Sequence, residues 1–485
     1  MSEEVGKDGS NPRGKLEATL GALLARRKSR NKLRSLSATF PGCVDFSSNG
    51  YLSLSTNPEI QKTLLARLEA EVAASASASK IDNRSNDAPR SSILGSGGSR
   101  LLDGNSPFAE ALEAKIAAFH GAEAGLLFTS AFDANVGLLS CVPQPGDVIL
   151  YDELIHASVH DGMRQSRAAK KVPFAHASVA ESARRRGVAG QPENASNVKG
   201  LGEVLEQLLI DEGNRDVRQG KANVFICIEG LYSMDGDIPA LKEVVETVDQ
   251  YLPLGNGYII VDEVHSVGIF GDQGRGLVCE LGLEHRIWAR ILGFGKAMGC
   301  AGGIVLCSPT TRAYLINYAR SLIYTTSMTF TSLASIDVVY DYLISGQSKP
   351  LRQQLDKLIQ DTHRRLQDLN GRQRPPQHIL HVQKTISKSP VIPIFTASPR
   401  NLAEYCQRCG FMVRPIVAPT VPAGTERVRI CLHAGNTIEQ VEGLCRAVEI
   451  WVRGEIATEE LQRSKQHHEK GAHIRNVRRL DKPQL

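Results

Sequence analysis

The feature that most constrains the fold of this chain is the alternation of short apolar segments with helix-like segments between Gly95 and Ser335. Seven of these apolar segments have the length and the aliphatic content of buried strands: AGLLFTS, DVILYD, KVPFAH, NVFICIEG, YIIVDEVH, ARILGFG and GGIVLCS. Strands that alternate with helices form a largely parallel sheet with helices on both faces. The sequence therefore predicts an α/β fold for this region.

The pattern changes after about residue 335, where one long helical segment is followed by short apolar runs and further helices. This order is typical of a smaller α+β domain. Within the large region, residues 75–92 are small, polar and of low complexity, which predicts an exposed insertion. The predicted organisation is an N-terminal helical segment (1–45), a large α/β domain (46–335), a small C-terminal α+β domain (336–455) and a basic, flexible tail (456–485).

Charge and hydropathy exclude two classes of partner. A net charge of +5 over 485 residues is too small to indicate a nucleic-acid partner. No stretch approaches the ~18–20 apolar residues that cross a bilayer, and the N-terminus lacks the apolar part of a secretory signal. We expect an intracellular protein without a membrane span, cytoplasmic or peroxisomal, because the final Pro-Gln-Leu loosely resembles a Ser-Lys-Leu peroxisomal address.

The ten cysteines are scattered, and most lie in apolar, strand-like surroundings. This distribution predicts reduced, buried thiols rather than disulfides. Cys406 and Cys409 have CxxC spacing, but no second pair completes a zinc site. We therefore interpret them as two ordinary helix thiols and predict no bound metal.

Charged side chains follow two of the predicted strands at the point where each strand ends. YIIVDEVHS ends in Asp262 and His265, and ARILGFGKAMGCAGG places Lys296 within a cluster of glycines. Ligands bind at the carboxyl ends of strands in open parallel sheets, where an Asp can pair with a protonated heterocycle and a desolvated Lys can attack a carbonyl. Each residue alone also fits a simpler role, Asp262 as a helix N-cap and Lys296 as a surface lysine. Because both follow neighbouring strands, we expect one shared site.

Two other strand ends carry residues suited to a phosphate and to a planar ring. In FTSAFDANVGLLS, the strand stops before Ser130 and a helix begins near Ala131 and Phe132. The amides and the positive dipole end of a helix N-terminus bind phosphate, and simple capping by Ser130 is the alternative. In YDELIHASVHDG, His156 follows a strand and suits stacking on a cofactor, or else an ordinary structural position.

Taken in order, these motifs resemble the α-oxoamine synthases, enzymes of fold type I that use pyridoxal 5'-phosphate (PLP) to condense an amino acid with an acyl-CoA thioester and release CO2. The resemblance extends from DFSSNGYLSLS (Asp45–Ser55) to RVRICLHA (Arg427–Ala434). It also includes GSGGSRLLDG, IHAS, EGLYSMDGDIPAL, DEVHSVGIFGDQGRG, GFGKAMGCAGG, LIYTTSM and PTVPAGTERVR. It implies the PLP-dependent transferase fold of type I, with a large, mostly parallel α/β domain and a smaller C-terminal α+β domain.

The resemblance implies a role for each matching position. Lys296 would hold PLP as a Schiff base and move the substrate α-proton, and Asp262 would pair with the pyridinium nitrogen. The other cofactor contacts would be stacking by His156, a hydrogen bond from His265 on the 3-hydroxyl side, pocket contacts of Glu229 and Ser233, and phosphate binding by Ser130, Ala131 and Phe132.

The resemblance also implies substrate and subunit contacts. Asn49 and Arg429 would hold the amino-acid carboxylate, and Arg34 is a candidate for an acyl-chain contact. Tyr324, Thr325 and Thr326 would reach the cofactor phosphate of a neighbouring subunit, which implies a homodimer with shared active sites.

Two positions depart from the family pattern. Gly293 stands three residues before the lysine, where the family usually has a Thr or Ser that donates to the phosphate. We therefore expect Gly293→Thr to tighten PLP retention by ~1 kcal/mol, the value of one net hydrogen bond. Gly50 replaces the Asp of the SNDY motif, and the sequence offers no physical reason for that change.

The branch of the family is less constrained than the family itself. RPIVAPTVPAGTERVR and SLIYTTSM are most similar to the branch that joins L-alanine and pimeloyl-CoA in biotin biosynthesis. The alternatives are a secondary-metabolism member that uses a polyketide or fatty acyl thioester, a serine palmitoyltransferase-like enzyme, 5-aminolevulinate synthase and 2-amino-3-ketobutyrate CoA ligase. A non-catalytic partner subunit is disfavoured because such subunits commonly lack the PLP lysine.

Overall fold

The computed structural model describes residues 12–30, 32–34, 36, 42–81, 93–179 and 198–480. The chain divides into two units, Met1–Cys43 and Val44–Leu485. The described part of the first unit contains the helix Pro12–Ser29, whose last turn carries Arg26, Arg27 and Lys28. All the elements that follow belong to the second unit.

A seven-stranded sheet forms the centre of the second unit, and each predicted apolar segment supplies one of its strands. The order across the sheet is β2-β8-β7-β6-β5-β3-β4. The short strand β1 (Val44–Asp45) lies outside this sheet. The seven strands are β2 (Ala124–Phe128), β3 (Val148–Asp152), β4 (Lys170–Phe174), β5 (Val224–Glu229), β6 (Gly257–Asp262), β7 (Ala289–Gly293) and β8 (Gly303–Cys307).

The direction of the strands determines where their ends meet. Strands β4, β3, β5, β6 and β7 are mutually parallel. Strand β8 is antiparallel to both β7 and β2, so β2 runs in the same direction as β7. The carboxyl ends of β2, β3, β5, β6 and β7 therefore lie at one edge of the sheet, which is where an open α/β sheet binds its ligand.

Helices cover both faces of this sheet, as the sequence predicts. Alternate side chains of β5 point to opposite faces: Ile226 and Ile228 belong to one apolar cluster, and Phe225 and Cys227 belong to another. The helices of this region are Pro58–Ile81, Pro107–Phe119, Ala131–Cys141, Ala157–Gln165, Leu201–Ile210, Arg215–Arg218, Leu241–Tyr251, Leu277–Glu280, Pro309–Tyr318, Arg320–Ile323 and Phe330–Ile344. The fold is the expected α/β architecture with a large, mostly parallel sheet.

A second, antiparallel sheet of four strands follows in the order β12-β13-β10-β9. Strand β1 pairs in parallel with β11, outside this sheet. The strands are β9 (His381–Val382), β10 (Val391–Phe395), β11 (Phe411–Met412), β12 (Arg414–Ile416) and β13 (Arg427–Cys431). The accompanying helices are Lys349–Gln373, Pro399–Arg408 and Ile438–Leu480.

The structure differs from the sequence pattern near three of the predicted boundaries. The helix Phe330–Ile344 runs without a break through residue 335. The last helix continues to Leu480, so the segment predicted to be a flexible tail is helical up to that residue. The insertion predicted at 75–92 begins inside the helix Pro58–Ile81, and residues 82–92 lie outside the described part of the chain. The domain limits themselves stay predictions.

Two further sequence expectations concern helices. None of the helices within the described ranges combines the length and the apolar content that a membrane span requires.

Cys406 is buried in the helix Pro399–Arg408, while Cys409 follows that helix and is exposed. The two thiols therefore have different surroundings, and burial raises the pKa of Cys406 to about 12.

The loop after β5 connects the two sheets through buried charges. Asp235 pairs with the buried guanidinium of Arg427 on β13. Asp237 Oδ2 lies 3.3 Å from Nε2 of the buried His176, whose Nδ1 lies 2.9 Å from Asp152 Oδ1. Burial alone would lower the pKa of His176, but the carboxylates of Asp152 and Asp237 raise it to about 10. His176 is therefore charged at neutral pH and links β3 to the loop.

This arrangement predicts a pH-dependent contribution of His176 to stability. Removing one partner of a buried ion pair costs about 3 kcal/mol, so we expect His176→Gln to lower the free energy of unfolding by that amount at pH 6. A folded-state pKa raised above its unfolded value contributes stability that is complete below about 6.5 and is lost as pH rises through about 10. Denaturant unfolding measured from pH 6 to 10.5 should show that the difference in the free energy of unfolding between His176→Gln and the unmodified protein narrows as pH rises.

The matched control is His363→Gln in the helix Lys349–Gln373. Burial lowers the pKa of His363, so this side chain is already neutral over the same pH range. Its effect on the free energy of unfolding should stay constant from pH 6.5 to 10. A constant difference for His176→Gln would contradict the assignment of a charged His176.

Candidate active site

A cavity of about 290 Å³ opens at the edge where the parallel strands end. Its wall contains most of the residues that the sequence predicts for a cofactor site. The lining residues are Ser130, Ala131, Phe132, Asn135, His156, Ser158, Glu229, Asp262, Val264, His265, Gly293, Gly295, Lys296 and Gly302. The strand ends thus bring together side chains that are up to 172 positions apart in the chain, from Ser130 to Gly302.

Lys296 lies in the turn that joins β7 to the antiparallel β8. Phe294 N donates to Gly302 O (3.0 Å) and Cys300 N donates to Phe294 O (2.7 Å), which closes the turn. Gly302 has a positive φ of 109° there, a conformation that favours glycine. Burial lowers the pKa of Lys296 to about 8, against the opposing attraction of Asp262 and Glu229. A useful fraction of the amine is therefore neutral and nucleophilic near neutral pH.

Asp262 and Glu229 lie side by side at the ends of β6 and β5, where they are paired in register. Asp262 accepts from Asn135 Nδ2 (2.7 Å) and from the amide of Val264 (3.0 Å). Burial and the neighbouring Asp262 raise the pKa of Glu229 well above its ordinary value. The two carboxyl groups at this edge therefore have different surroundings, and burial favours the protonated form of Glu229.

His156 is held in a fixed orientation at the start of the helix Ala157–Gln165. Its Nδ1 accepts from the amide of Ser158 (3.2 Å) and lies 2.8 Å from Ser158 Oγ. Asn135 Nδ2 donates to the same hydroxyl (3.0 Å), so that hydroxyl donates its own proton to His156. Burial lowers the pKa of His156. The imidazole is thus neutral, with its ring facing the cavity.

The helix Ala131–Cys141 begins at the cavity wall and is capped by Ser130. Ser130 Oγ accepts from the amide of Asp133 (3.0 Å), and the Asp133 carboxylate accepts from the hydroxyls of Ser130 (2.7 Å) and Thr129 (2.6 Å). These hydroxyl protons are engaged within the cap. An anion at this helix end would therefore be bound by the amides of Ala131 and Phe132 and by the helix dipole.

These residues fit PLP. Asp262 offers a carboxylate to a pyridinium nitrogen, His156 offers a ring face, and the helix N-terminus offers amides to a phosphate. Asn135 Oδ1, next to Asp262, is buried and has no hydrogen-bond partner among the described residues. That amide oxygen and the amine of Lys296 both remain available to a ligand in the cavity.

Tyr51 is a site residue that the sequence reasoning missed. Its hydroxyl lies 2.7 Å from His265 Nδ1, and His265 Nε2 contacts Lys296 Nζ. Burial, followed by the charge of Lys296, keeps the pKa of His265 well below its ordinary value. The SNGY motif contains Tyr51, but its partner is 214 residues away. The only signal in the sequence is the position of Tyr51 two residues after Asn49.

The predicted carboxylate-binding residues lie beside the cavity rather than in its wall. Arg429 on β13 donates to Ser233 O (2.9 Å) and to Ser47 O (3.4 Å). Its Nε is buried without a hydrogen-bond partner among the described residues. Asn49 Oδ1 lies 3.4 Å from the Tyr51 hydroxyl. Arg429 therefore holds a guanidinium close to the Tyr51 side of the site, with one donor unused.

Four of the predicted cofactor-contact residues do not line this cavity: Ser233, Tyr324, Thr325 and Thr326. Thr325 and Thr326 line a separate small pocket with Arg100 and Met328, and Tyr324 is 72% exposed. Arg34 belongs to the first unit of the chain. The roles suggested for these residues stay predictions.

Gly293 ends β7 against Val264. A Cβ atom at Gly293 would lie 2.8 Å and 2.9 Å from the two γ-methyl groups of Val264, and 3.1 Å from Ala131 Cβ. Val264 is short and stiff at χ1, so it cannot move aside cheaply. A Thr at this position would have to displace Val264, and we expect that steric cost to outweigh any gain from a phosphate contact. At Gly50, an added Cβ would meet only Ser48 Oγ at 3.6 Å, and the structure offers no explanation for that glycine.

Comparisons with known proteins agree with this geometry. The family described as aminotransferase class I and II matches residues 41–448. The 8-amino-7-oxononanoate synthase of Emericella nidulans is 46% identical over 438 residues, which cover 90% of this chain and 96% of that protein. The aminoacyl transferase sphA of Aspergillus fumigatus is 32% identical, covering 87% of this chain and 84% of that protein. The solved serine palmitoyltransferase of Sphingomonas wittichii superposes with a TM-score of 0.69 at 23% identity, covering 92% and 98% of the two chains.

The contact between Gly293 and Val264 predicts that their sizes are coupled. Overpacking costs ~1–3 kcal/mol, so Gly293→Thr should lower the free energy of unfolding by that amount and weaken PLP retention on dialysis. Val264→Ala removes the colliding methyl groups, and the double variant should recover most of the loss. Stronger retention in Gly293→Thr alone would contradict this steric account.

Proposed function

We propose that this chain, which belongs to the aminotransferase class I and II family and is a PLP-dependent acyltransferase of the α-oxoamine synthase type, joins L-alanine to pimeloyl-CoA. The products would be 8-amino-7-oxononanoate, CoA and CO2, which is a step of biotin biosynthesis. In this reaction, a carbon–carbon bond forms between the amino-acid Cα and the acyl carbon while the thioester C–S bond breaks. The amino-acid carboxylate leaves as CO2, and Cα receives a proton.

The observation that carries the chemistry is that Lys296 and Asp262 line the same cavity at the ends of the parallel strands. Bound PLP supplies an electron-poor ring that delocalises negative charge from the amino-acid Cα. Asp262 would accept a hydrogen bond from the protonated ring nitrogen, and the donors of Asn135 and Val264 hold its carboxyl group in place. Lys296 would take the Cα proton, since its lowered pKa places a neutral amine beside it near neutral pH.

Other residues would orient the reactants. His156 would stack on the cofactor ring, with Glu229 and Ser233 completing the pocket around it. Ser130, Ala131 and Phe132 would surround the phosphate through the first turn of their helix. Arg429 and Asn49 would hold the amino-acid carboxylate. The unused buried Nε of Arg429 supports this role, because a carboxylate would satisfy it.

A homodimer with shared active sites is part of the proposal. The exposed Tyr324 and Thr326, which do not line the cavity of their own chain, support it. Tyr324, Thr325 and Thr326 would approach the phosphate site of a second copy, and Arg34 would contact the acyl chain. Cytoplasm or peroxisome is the expected compartment, and the Pro-Gln-Leu end lies outside the described residues.

The acyl donor has a second candidate. It is a longer fatty or polyketide acyl thioester, and the aminoacyl transferase sphA, at 32% identity, shows that relatives with a different name exist. The higher identity to a protein named 8-amino-7-oxononanoate synthase, 46% against 32%, is the reason for preferring pimeloyl-CoA.

We expect Lys296→Ala to abolish the visible absorbance of bound PLP and to reduce turnover by ~10²–10⁴-fold or more, the contribution of a general base. Lys242→Ala, on the exposed face of the helix Leu241–Tyr251, is the matched control and should retain both. Turnover that persists in Lys296→Ala would contradict the assignment of Lys296 as the catalytic amine.

Release of free thiol from three substrate pairs tests the acyl donor. The PLP-loaded protein is offered pimeloyl-CoA with L-alanine, palmitoyl-CoA with L-serine, and acetyl-CoA with glycine. We expect alanine-dependent release from pimeloyl-CoA only. Release from palmitoyl-CoA instead would favour the long-chain alternative, and release from none would exclude these three donors while leaving the bound cofactor detectable.

A further inference from the structure

A chain of hydrogen bonds between buried side chains ends on Lys296. His265 Nε2 contacts Lys296 Nζ, and His265 Nδ1 lies 2.7 Å from the hydroxyl of Tyr51. The same hydroxyl lies 3.4 Å from Asn49 Oδ1. Tyr51 is completely buried, and His265 is 5% exposed. The contact between Tyr51 and His265 is therefore shielded from water.

The two nitrogens of a neutral imidazole have opposite roles, because one donates and the other accepts. When Lys296 is charged, Nζ can only donate, so His265 Nε2 must accept and His265 Nδ1 must carry the proton. When Nζ is neutral, it can accept from a protonated Nε2, and Nδ1 becomes the acceptor. The charge of Lys296 and the tautomer of His265 are therefore linked.

Tyr51 can serve both tautomers, because a hydroxyl both donates and accepts. With a proton on His265 Nδ1, the Tyr51 oxygen accepts it and the hydroxyl turns toward Asn49 Oδ1. When His265 Nδ1 carries no proton, the Tyr51 hydroxyl rotates back and donates to that nitrogen. A phenylalanine could form a hydrogen bond with neither tautomer.

We propose that Tyr51 is a positioning residue whose hydroxyl satisfies His265 Nδ1 in both tautomers and thereby lets Lys296 hold its own proton more firmly than it would without that hydroxyl. This role concerns only groups of this chain and goes beyond the reaction proposed above. It does not depend on which acyl donor or amino acid the enzyme uses.

Loss of the Tyr51 hydroxyl acts unequally on the two forms of Lys296. The charged form requires a proton on His265 Nδ1 and would leave that buried N–H without an acceptor, which native proteins rarely tolerate. The neutral form can leave Nδ1 as an unpaired acceptor instead. Tyr51→Phe should therefore disfavour the charged form and lower the pKa of Lys296.

The other groups that act on Lys296 stay in place in this variant. Burial sets its pKa near 8, and the charged or titratable groups around it are Asp262, Glu229, Arg429, Cys431, His156 and His265. Since Tyr51→Phe removes none of these groups, a shift reports the lost hydroxyl.

The test is the rate at which cofactor-free protein takes up PLP, followed by visible absorbance as a function of pH. The rate should rise as Lys296 loses its proton, with a midpoint near pH 8 in the unmodified protein. In Tyr51→Phe we expect the midpoint to fall by ~0.5–1 pH unit, a roughly 3- to 10-fold loss of proton affinity. An unchanged midpoint in folded Tyr51→Phe would overturn the proposal.

Tyr340→Phe is the matched control, because Tyr340 is also fully buried and its hydroxyl lies 3.0 Å from His120 Nε2. It removes the same kind of contact away from the cavity and should leave the midpoint unchanged. Any titration of PLP itself is common to both variants. A shift in Tyr340→Phe as large as in Tyr51→Phe would point to general destabilisation and against the proposal.

A double-variant cycle tests whether Tyr51 acts through His265. In a His265→Gln background, Tyr51→Phe should move the midpoint no further. If Tyr51→Phe shifts the midpoint equally with and without His265, Tyr51 does not act through His265 and the proposal is contradicted. The assay uses neither amino acid nor acyl-CoA, so its failure is distinguishable from failure of the proposed reaction.

If Tyr51→Phe does not fold, the unmodified protein decides the question. With ¹⁵N-labelled histidine, the His265 resonances are identified by their loss in His265→Gln. The imidazole proton of His265 should move from Nδ1 to Nε2 as pH rises through the midpoint at which Lys296 loses its own proton. One tautomer on both sides of that midpoint would overturn the proposal.

Discussion

The parallel pairing of β5, β6 and β7 is the constraint on which the site depends. Its register places Glu229 beside Asp262, and Asp262 beside Ile291 of β7. Only the turn after Gly293 then separates Lys296 from that edge. Backbone hydrogen bonds of the sheet therefore set the distance between Asp262 and Lys296. The segments that connect the strands need only be long enough to reach from one strand to the next.

Burying two carboxyl groups and an amine together would be unfavourable if all three kept their charges. The site resolves this through unequal hydrogen bonding. Asp262 receives donors from Asn135 and Val264, while burial and the charge of Asp262 raise the pKa of Glu229. Asp262 lines the cavity together with Lys296, where a pyridinium nitrogen would meet its carboxyl group.

The sequence predicts those parts of the fold that depend on local pattern. The seven apolar segments form the seven strands, and Ser130 caps the helix where FTSAF predicts a start. Features that depend on distant contacts are less accessible. Tyr51 was overlooked because His265 is remote in the chain. The steric conflict of a Thr at position 293 is hidden in the sequence for the same reason, because Val264 comes from another strand end. The tail after residue 456 is polar and basic, yet it continues a helix that is anchored earlier by buried residues such as Val448 and Val452.

The close fit of Val264 against Gly293 also constrains how this part of the site can change over generations. A hydroxyl-bearing residue at 293 collides as long as valine occupies 264, whereas a smaller residue at 264 leaves only a modest cavity. Of the two single-step routes to a pair with a small residue at 264 and a Thr at 293, only the one that changes 264 first avoids a strained intermediate. The two positions are thus coupled, and a Thr at 293 is expected to be tolerated only after a smaller residue stands at 264.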